Sequence, residues 1–416
     1  MKKRGLFVGV CLLLIFGMSV SAAADTLTVG VVGPYTGAAA RTGQEFRGAV
    51  ETAFSEIDFQ IGDYEIKLVW VDSESSPEAA VRAYESAIRR DGMDVGILNW
   101  HSSVAVALMD SSARHQIPHF FGFGATEVVV EKFEDDPEHY SYWMGKTWPV
   151  PEKLSVGYVD TLTHALEEGL WEPRNLKVGI YGEDTDWGRS FGAAIAEQFE
   201  NDGWEVVNHE YYEMGETDLY PLLSRLRSAD VSVVAGTDAS AESFSAFITQ
   251  SREVGLNSVI IADGLGWVGE WYEMTGDASN YVLDMIPEWP DEEARQWAEK
   301  FEEEYGISPS TSAAGQAYDQ ANFFIKIAET ALEREGELTS ESLYTVGQEM
   351  LWQGELVYED GIVHAAYKYT PETIPDPVVG EGYYLFPVLQ YYEGRGKIIW
   401  PDYMAETEFQ VPDYLR

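Results

Sequence analysis

The sequence predicts an α/β protein of two doubly wound parallel-sheet units in tandem. Three observations carry this. Short β-rich runs alternate with amphipathic stretches of helical length, the alternation starts twice (near Leu27 and near Val178), and the runs end in loops rich in Gly, Ser, Asp and Pro. Repeated βα order puts the strands parallel, with helices on both faces of each sheet.

In the first unit, Leu27 to Val32 reads as a buried strand closed by Gly33-Pro34. Gln44 to Ile57 follows as a helix, with Phe46, Val50, Ala53, Phe54 and Ile57 at helical spacing. Ile66 to Val71 is a strand, and Ser76-Pro77 opens a helix to about Arg90, with Pro77 at its first position. Val95 to Leu98 is a strand, Ser103 to His115 a helix and Pro118 to Phe121 a strand. Tyr140 to Pro151, rich in aromatics and Pro, is the first crossing between units.

In the second unit the strands are Val178 to Tyr181, Glu205 to Tyr211, Val231 to Ala235 and Ser258 to Ala262. Helices fall at Phe191 to Phe199, Leu219 to Arg227 and Glu242 to Val254. Helical segments 291–305 and 313–334 come next, then an aromatic, Pro-rich tail of strands and turns from Gly354. No short-period repeat points to a solenoid.

Composition narrows the partners. With 71 acidic against 27 basic residues the net charge is −44, so nucleic acid and anionic membrane surfaces are excluded as partners. A 45% hydrophobic and 13% aromatic content excludes global disorder at this charge. The acid-rich, lysine-poor surface reads as adaptation to high salt, where self-repulsion is screened.

The N-terminus reads as a secretory signal peptide over residues 1–24. Lys2, Lys3 and Arg4 precede an apolar run from Leu6 to Val20, and Ala22-Ala23-Ala24 offers a small-residue cleavage site. The segment is too short for a membrane span, so direct membrane insertion ends with cleavage. Cys11 is the one cysteine and falls inside it; Val8-Gly9-Val10 lacks the small residue expected just before a lipidated cysteine.

In doubly wound sheets, ligands bind beyond the carboxyl ends of the strands. The loops there are 33–37, 99–103, 122–126, 182–188, 236–240 and 262–264. Ser102 and Ser103 stand at a helix start, where they cap it or join its free N–H groups in holding a carboxylate. Gly124-Ala125-Thr126 offers further N–H groups, and Asp263 faces them from the other unit as counter-charge for an ammonium.

Taken in order, these residues resemble the type I periplasmic solute-binding proteins of the leucine/isoleucine/valine class. The resemblance runs through Gly33-Pro34-Tyr35-Thr36-Gly37, Asp72 to Ala83, Ser102-Ser103, Ile117-Pro118, Gly124-Ala125-Thr126, the stretch from Tyr181 to Gly188, Met214 to Asp218, Asp263-Gly264 and Ala317-Tyr318-Asp319. Phe386 to Tyr391 with Trp400-Pro401 extends it into the tail. Each motif is weak alone; together in one order they are specific.

The resemblance implies two lobes joined by a three-strand hinge, with lobe 1 at 25–147 plus 287–350, lobe 2 at 148–286 plus 351–400 and a tail at 401–416. It implies a non-enzymatic clamp, without cofactor or metal, that closes on an amino acid or small amide and delivers it to ABC permease subunits from the periplasm. A branched-chain or other hydrophobic amino acid is the first expectation, urea or a short amide the second. Carried over by position, Ser102, Ser103, Gly124, Ala125 and Thr126 hold the ligand carboxylate, Trp187 covers the ligand, Asp238 and Ala239 lie near a further contact, Asp263 meets the amine, and Tyr318 lines the side-chain pocket.

This sequence departs from the pattern in Asp263, shorter than the Glu often found there, and in Trp100 and His101 before Ser102, with Trp267 and Trp271 after Asp263. Trp100, Trp267 and Trp271 read first as packing residues. An exported hydrolase would use Ser102 or Ser103 with His101, His115 or His119, but no G-x-S-x-G elbow is present. Pro118 separates His115 from His119, and the acidic run 183–186 lacks a calcium-loop pattern, so no metal is expected. An envelope chemoreceptor is a further partner compatible with the clamp.

Overall fold

The computed structural model describes residues 25–415 apart from 268, 269 and 287. The expected signal peptide, with Cys11, lies outside them.

The chain opens with β1 (Asp25–Gly33), α1 (Ala40–Ser55), β2 (Gln60–Ile61), β3 (Tyr64–Asp72), α2 (Pro77–Ser86), β4 (Val95–Ile97), α3 (Ser102–His115), β5 (His119–Phe120) and α4 (Glu127–Asp135). It crosses to α5 (Pro151–Glu167), β6 (Lys177–Glu183), α6 (Asp186–Asn201), β7 (Glu205–Tyr212), α7 (Tyr220–Ser228), β8 (Val233–Thr237), α8 (Ala241–Glu253), β9 (Val259–Asp263), α9 (Trp271–Thr275) and β10 (Leu283–Asp284). It returns through α10 (Glu292–Tyr305), α11 (Gln316–Glu335) and α12 (Ser340–Val346), then crosses a third time to β11 (Val388–Tyr392) and β12 (Arg395–Trp400).

Among the described residues the first sheet runs β2-β3-β1-β4-β5 and the second β12-β11-β10-β9-β8-β6-β7. From β3 to β5 and from β7 to β10 the strands are parallel, and antiparallel β2, β11 and β12 extend the edges. This is the expected α/β architecture of two lobes. Strand order reverses between β1 and β4 in one lobe and between β6 and β8 in the other, and each reversal opens a crevice at the strands' carboxyl ends.

Local chemistry sets the helix starts. Ser76 caps α2 with Pro77 at its first position, Thr126 accepts from Val128 N–H at α4, and Thr185 accepts from Gly188 N–H at α6. The core of the first lobe gathers Val29, Val31, Phe46, Phe54, Phe120 and Phe324, all fully buried. Each such side chain contributes about 1.5–3 kcal/mol on burial.

Two features correct the expected boundaries. Helix α5 was not read from the sequence, although Pro151 at its start and Leu154, Tyr158, Leu162 and Ala165 on its buried face are its signals. Residues 352–376, expected with lobe 2 as part of 351–400, pack on lobe 1. Trp352 stacks edge-on against Phe133 at 5.4 Å, and Asp319 of α11 accepts the N–H groups of Ile362 and Val363 and the hydroxyl of Tyr367. The tail beyond 400 folds onto lobe 2, where Gln390 bonds the backbone of Gln410 from both ends of its amide.

The first and third crossings are clipped together. Lys146 and Asp376 form a fully buried ion pair at 2.7 Å, and Asp376 also takes Lys153 at 2.9 Å and the Val150 N–H. The Lys146 N–H donates to Pro375 O, and Tyr369 donates to Lys146 O. The two lysines hold the Asp376 carboxyl below the usual range against the opposing effect of burial.

Candidate functional site

The two crevices face each other and enclose one cavity. Trp100, His101, Ser102, Phe123 and Ala125 line it from lobe 1, Trp148 from the first crossing, and Glu183, Thr185, Trp187, Ala239 and Trp267 from lobe 2. Its volume is ≈ 30 Å³.

Four indoles form most of the wall. Trp267 meets Trp100 edge to face at 5.4 Å, Trp148 at 6.0 Å and Trp187 at 5.8 Å. Trp100 rests on Phe46 and Phe123, and Trp148 stacks on Phe386 of the third crossing at 4.8 Å. These contacts join both lobes and the hinge in one aromatic cluster.

Each indole is fixed by its element. Trp187 sits on the first turn of α6 and donates its Nε1–H to Thr237 Oγ1 at 3.0 Å, and Thr237 in turn donates to Asp263 O. Trp267 ends a tight turn whose Gly264 has φ +97°; a Cβ there would meet the Trp267 ring at 2.4 Å. Asp284, at the end of β10, holds that turn by accepting from Gly264 N, Gly266 N and the Tyr391 hydroxyl.

The polar groups are few. Glu183 is fully buried, accepting from Thr185 Oγ1 at 2.6 Å and from Ala239 N at 2.9 Å. Asp238 accepts from the Tyr212 hydroxyl and Ser240 N–H. Burial pushes the carboxyls of both Glu183 and Asp238 up, Asp238 well above the usual range because the neighbouring Glu183 adds to the effect. His101 is buried, and burial pushes its imidazole down to about 4, so it is neutral at pH 7.

Three buried nitrogens of the wall have no partner within the protein: Trp100 Nε1, Trp267 Nε1 and His101 Nε2. Helix α3 begins beside them, and His101 in its capping position makes no side-chain cap, leaving first-turn N–H groups for an anion. No Lys or Arg lines the cavity among the described residues.

Of the residues singled out in the sequence, Ser102, Ala125, Trp187 and Ala239 line this cavity, and Asp238 lines a narrower crevice beside it, together with Ala239. The remaining five do not line it. Ser103 lies a position further along α3. Gly124 lets its loop approach α3, since a Cβ would stand 2.4 Å from that of Ala105. Thr126 shares a 2.6 Å hydrogen bond with Ser190 of α6, a link between lobes. Asp263 accepts from Tyr158 of α5 at 2.8 Å, and burial with neighbouring Asp284 favours its protonated form. Tyr318 donates to Glu56 in an outer groove of lobe 1, so the side-chain pocket expected there is not where it sits.

Glu183, Thr185, Trp148, Phe123 and His101 were not among the expected site residues, and Trp100 and Trp267 read first as packing. Their signal was position: all lie in loops at strand ends or in the first crossing. Of the histidines weighed for a hydrolase, His119 is spent on Leu98 O at 2.6 Å and stacks on Trp143, while His115 lies 3.9 Å from Glu85 at the far end of α3.

Residues 26–366 match the family model described as "Periplasmic binding protein". The chain is 26% identical over 291 residues to Leu/Ile/Val-binding protein homolog 8 of Brucella abortus (strain 2308), covering 68% of each. Its fold is that of a putative branched-chain amino acid ABC transporter from Silicibacter pomeroyi (TM-score 0.72, 20% identity, 94% of this chain and 100% of that one). It is also that of a Rhodopseudomonas palustris solute-binding protein in complex with benzoate (TM-score 0.70, 17% identity, 90% and 96%). With two opposed α/β lobes, three crossings and a shared cavity at both reversals of strand order, the chain belongs to the periplasmic binding protein family.

Proposed function

We propose that this protein is the exported substrate-binding component of an ABC importer, and that its lobes close over a small zwitterion of the amino-acid class. The observation that supports this is the composition of the cavity: unpaired N–H donors and an open helix N-terminus for a carboxylate, one buried carboxylate for an ammonium, and no basic side chain. Hydrophobic and branched-chain amino acids are the first members of that class to test, with the Brucella relative in support. Contacts from both lobes stabilise the closed form, since a ligand shifts a two-state equilibrium by its differential affinity.

Within this reading Ser102 and Ala125 face the ligand carboxylate, Glu183 meets the ammonium in place of Asp263, and Trp187 covers the ligand. Permease subunits take the closed complex, and residues 1–24 direct export to the periplasm. The acid-rich composition suits a salty external medium.

A second reading, an aromatic carboxylate, is favoured by the four indoles and by the benzoate of the Rhodopseudomonas structure. Glu183 and the lack of a lining cation weigh against it, because a net anion would be buried beside an acidic side chain with no counter-charge. Urea or a short amide would leave the aromatic walls unmatched.

Mass spectrometry of ligand released on unfolding, with a thermal-shift screen of amino acids, amides and benzoate, tests the proposal. Zwitterions are expected to raise the melting temperature. A rise with benzoate or urea alone would overturn it.

A further inference from the structure

Resting on the reading of a zwitterion-binding clamp, we propose that the cavity selects a zwitterion whose ammonium is N-methylated, a tertiary or quaternary ammonium carrying a carboxylate on a short linker. The ammonium is what separates this from an ordinary amino acid. A primary ammonium brings three N–H donors and needs acceptors for all of them when buried. Glu183 already accepts from Thr185 on one oxygen and from Ala239 on the other, Thr185 spends its proton on Glu183, and the other unpartnered side-chain nitrogen able to accept is His101 Nε2. The remaining wall is largely indole.

An N-methylated ammonium has the opposite requirement. Its charge is spread over methyl groups, it is weakly hydrated, and it is attracted to the faces of Trp rings within about 6 Å. Trp100, Trp148 and Trp187 each stand within 6.0 Å of Trp267, centroid to centroid, so rings from both lobes and the hinge close on one small volume. Glu183 is the acidic side chain of the wall, with no lining Lys or Arg to compete for it.

The carboxylate end has its own partners. Trp100 Nε1 and Trp267 Nε1 are buried donors without acceptors, and α3 begins at Ser102 of the same wall with its first turn uncapped by a side chain. Trp100 and Trp267 thus offer ring to the cation and N–H to the anion of one compact ligand.

Calorimetry on the full chain, stripped of ligand by unfolding and refolding, tests this with glycine, N-methylglycine, N,N-dimethylglycine and trimethylglycine, alongside leucine. Affinity is expected to rise with each methyl and by at least tenfold across the series. Apolar burial alone would also favour methyl groups. The decisive probe is therefore 3,3-dimethylbutanoate, which has the shape of trimethylglycine with carbon in place of the charged nitrogen. It is expected to bind at least tenfold more weakly. Equal binding of the two, or leucine binding more tightly than trimethylglycine, would overturn the inference; the second result would leave the amino-acid reading standing. Failure of every zwitterion would overturn both.

Discussion

Trp100 of lobe 1 and Trp267 of lobe 2 meet edge to face across the cleft with ring centroids 5.4 Å apart, and both indole N–H groups lack an acceptor within the protein. An aromatic pair in this geometry contributes about 0.5–1.5 kcal/mol beyond its burial. Because the contact exists only when the lobes are together, it favours closure rather than the folding of either lobe. Trp267→Ala is expected to weaken ligand binding at least tenfold by calorimetry, with little change in the urea midpoint of the ligand-free protein. An unchanged affinity would remove Trp267 from the wall.

The hinge ion pair predicts an asymmetry. Asp376→Ala leaves Lys146 buried without its counter-charge, and breaking a buried pair in this way costs about 3–5 kcal/mol. Replacing both, Lys146→Met with Asp376→Ala, should recover much of that loss despite Lys153 and the Val150 N–H also losing a partner. Urea unfolding of the two variants separates the outcomes; a double variant no more stable than Asp376→Ala would show the penalty is not Lys146's charge.

His119 supplies a pH signature. Burial pushes its imidazole down to about 4 while Nε2 donates to Leu98 O, so the folded chain keeps it neutral. The unfolded chain takes up a proton below about 6.5. Stability from this group is therefore complete above pH 6.5 and falls as pH drops toward 4, by up to about 3 kcal/mol. Glu45 and Asp319, each pushed up to about 7 by burial, act with opposite sign over much of the same range, so the comparison belongs between variants. His119→Gln, which keeps a donor for Leu98, should flatten the slope relative to the parent in denaturation midpoints taken from pH 7 to pH 4.

A fourth prediction concerns the lobe-to-lobe pair of Arg41 with Glu270, at 2.7 Å and partly exposed. Glu270→Gln leaves Arg41 its buried partner Glu45 and its bond to Ser308 O, so folding should be spared. The closed form loses about 0.2–1 kcal/mol, which appears as a severalfold weaker affinity at most. Solution scattering should show a larger open fraction without ligand; an unchanged profile would exclude the pair from the closing equilibrium.

The βα order, the two lobes and the loops that meet at the cavity were legible from strand and helix periodicity, because those patterns record burial along the chain. Which side chain in a loop faces the cavity was not. Asp263 and Glu183 both end strands of lobe 2, and both read as acidic loop residues. Tyr158 decides between them by donating to Asp263 at 2.8 Å, and Tyr158 belongs to α5, the helix hidden behind the Pro-rich crossing. Tyr318 failed for a similar reason: its position on α11 follows from periodicity, but its direction follows from Glu56 on the far end of α1. Residues 352–376 carry little periodicity, and it is the contact of Trp352 with Phe133 and the bonds accepted by Asp319 that set them on lobe 1.

The two charged contacts that span the clamp sit in different media. Lys146 and Asp376 lie at the pivot out of reach of dissolved ions, whereas Arg41 and Glu270 lie where ions can gather around them. At molar salt, screening acts over about 3 Å, enough to weaken the outer contact and leave the inner one untouched. Brine would thus ease the lid without loosening its axle, giving a strongly acidic protein a closing motion whose bias follows the ionic strength outside while its path does not.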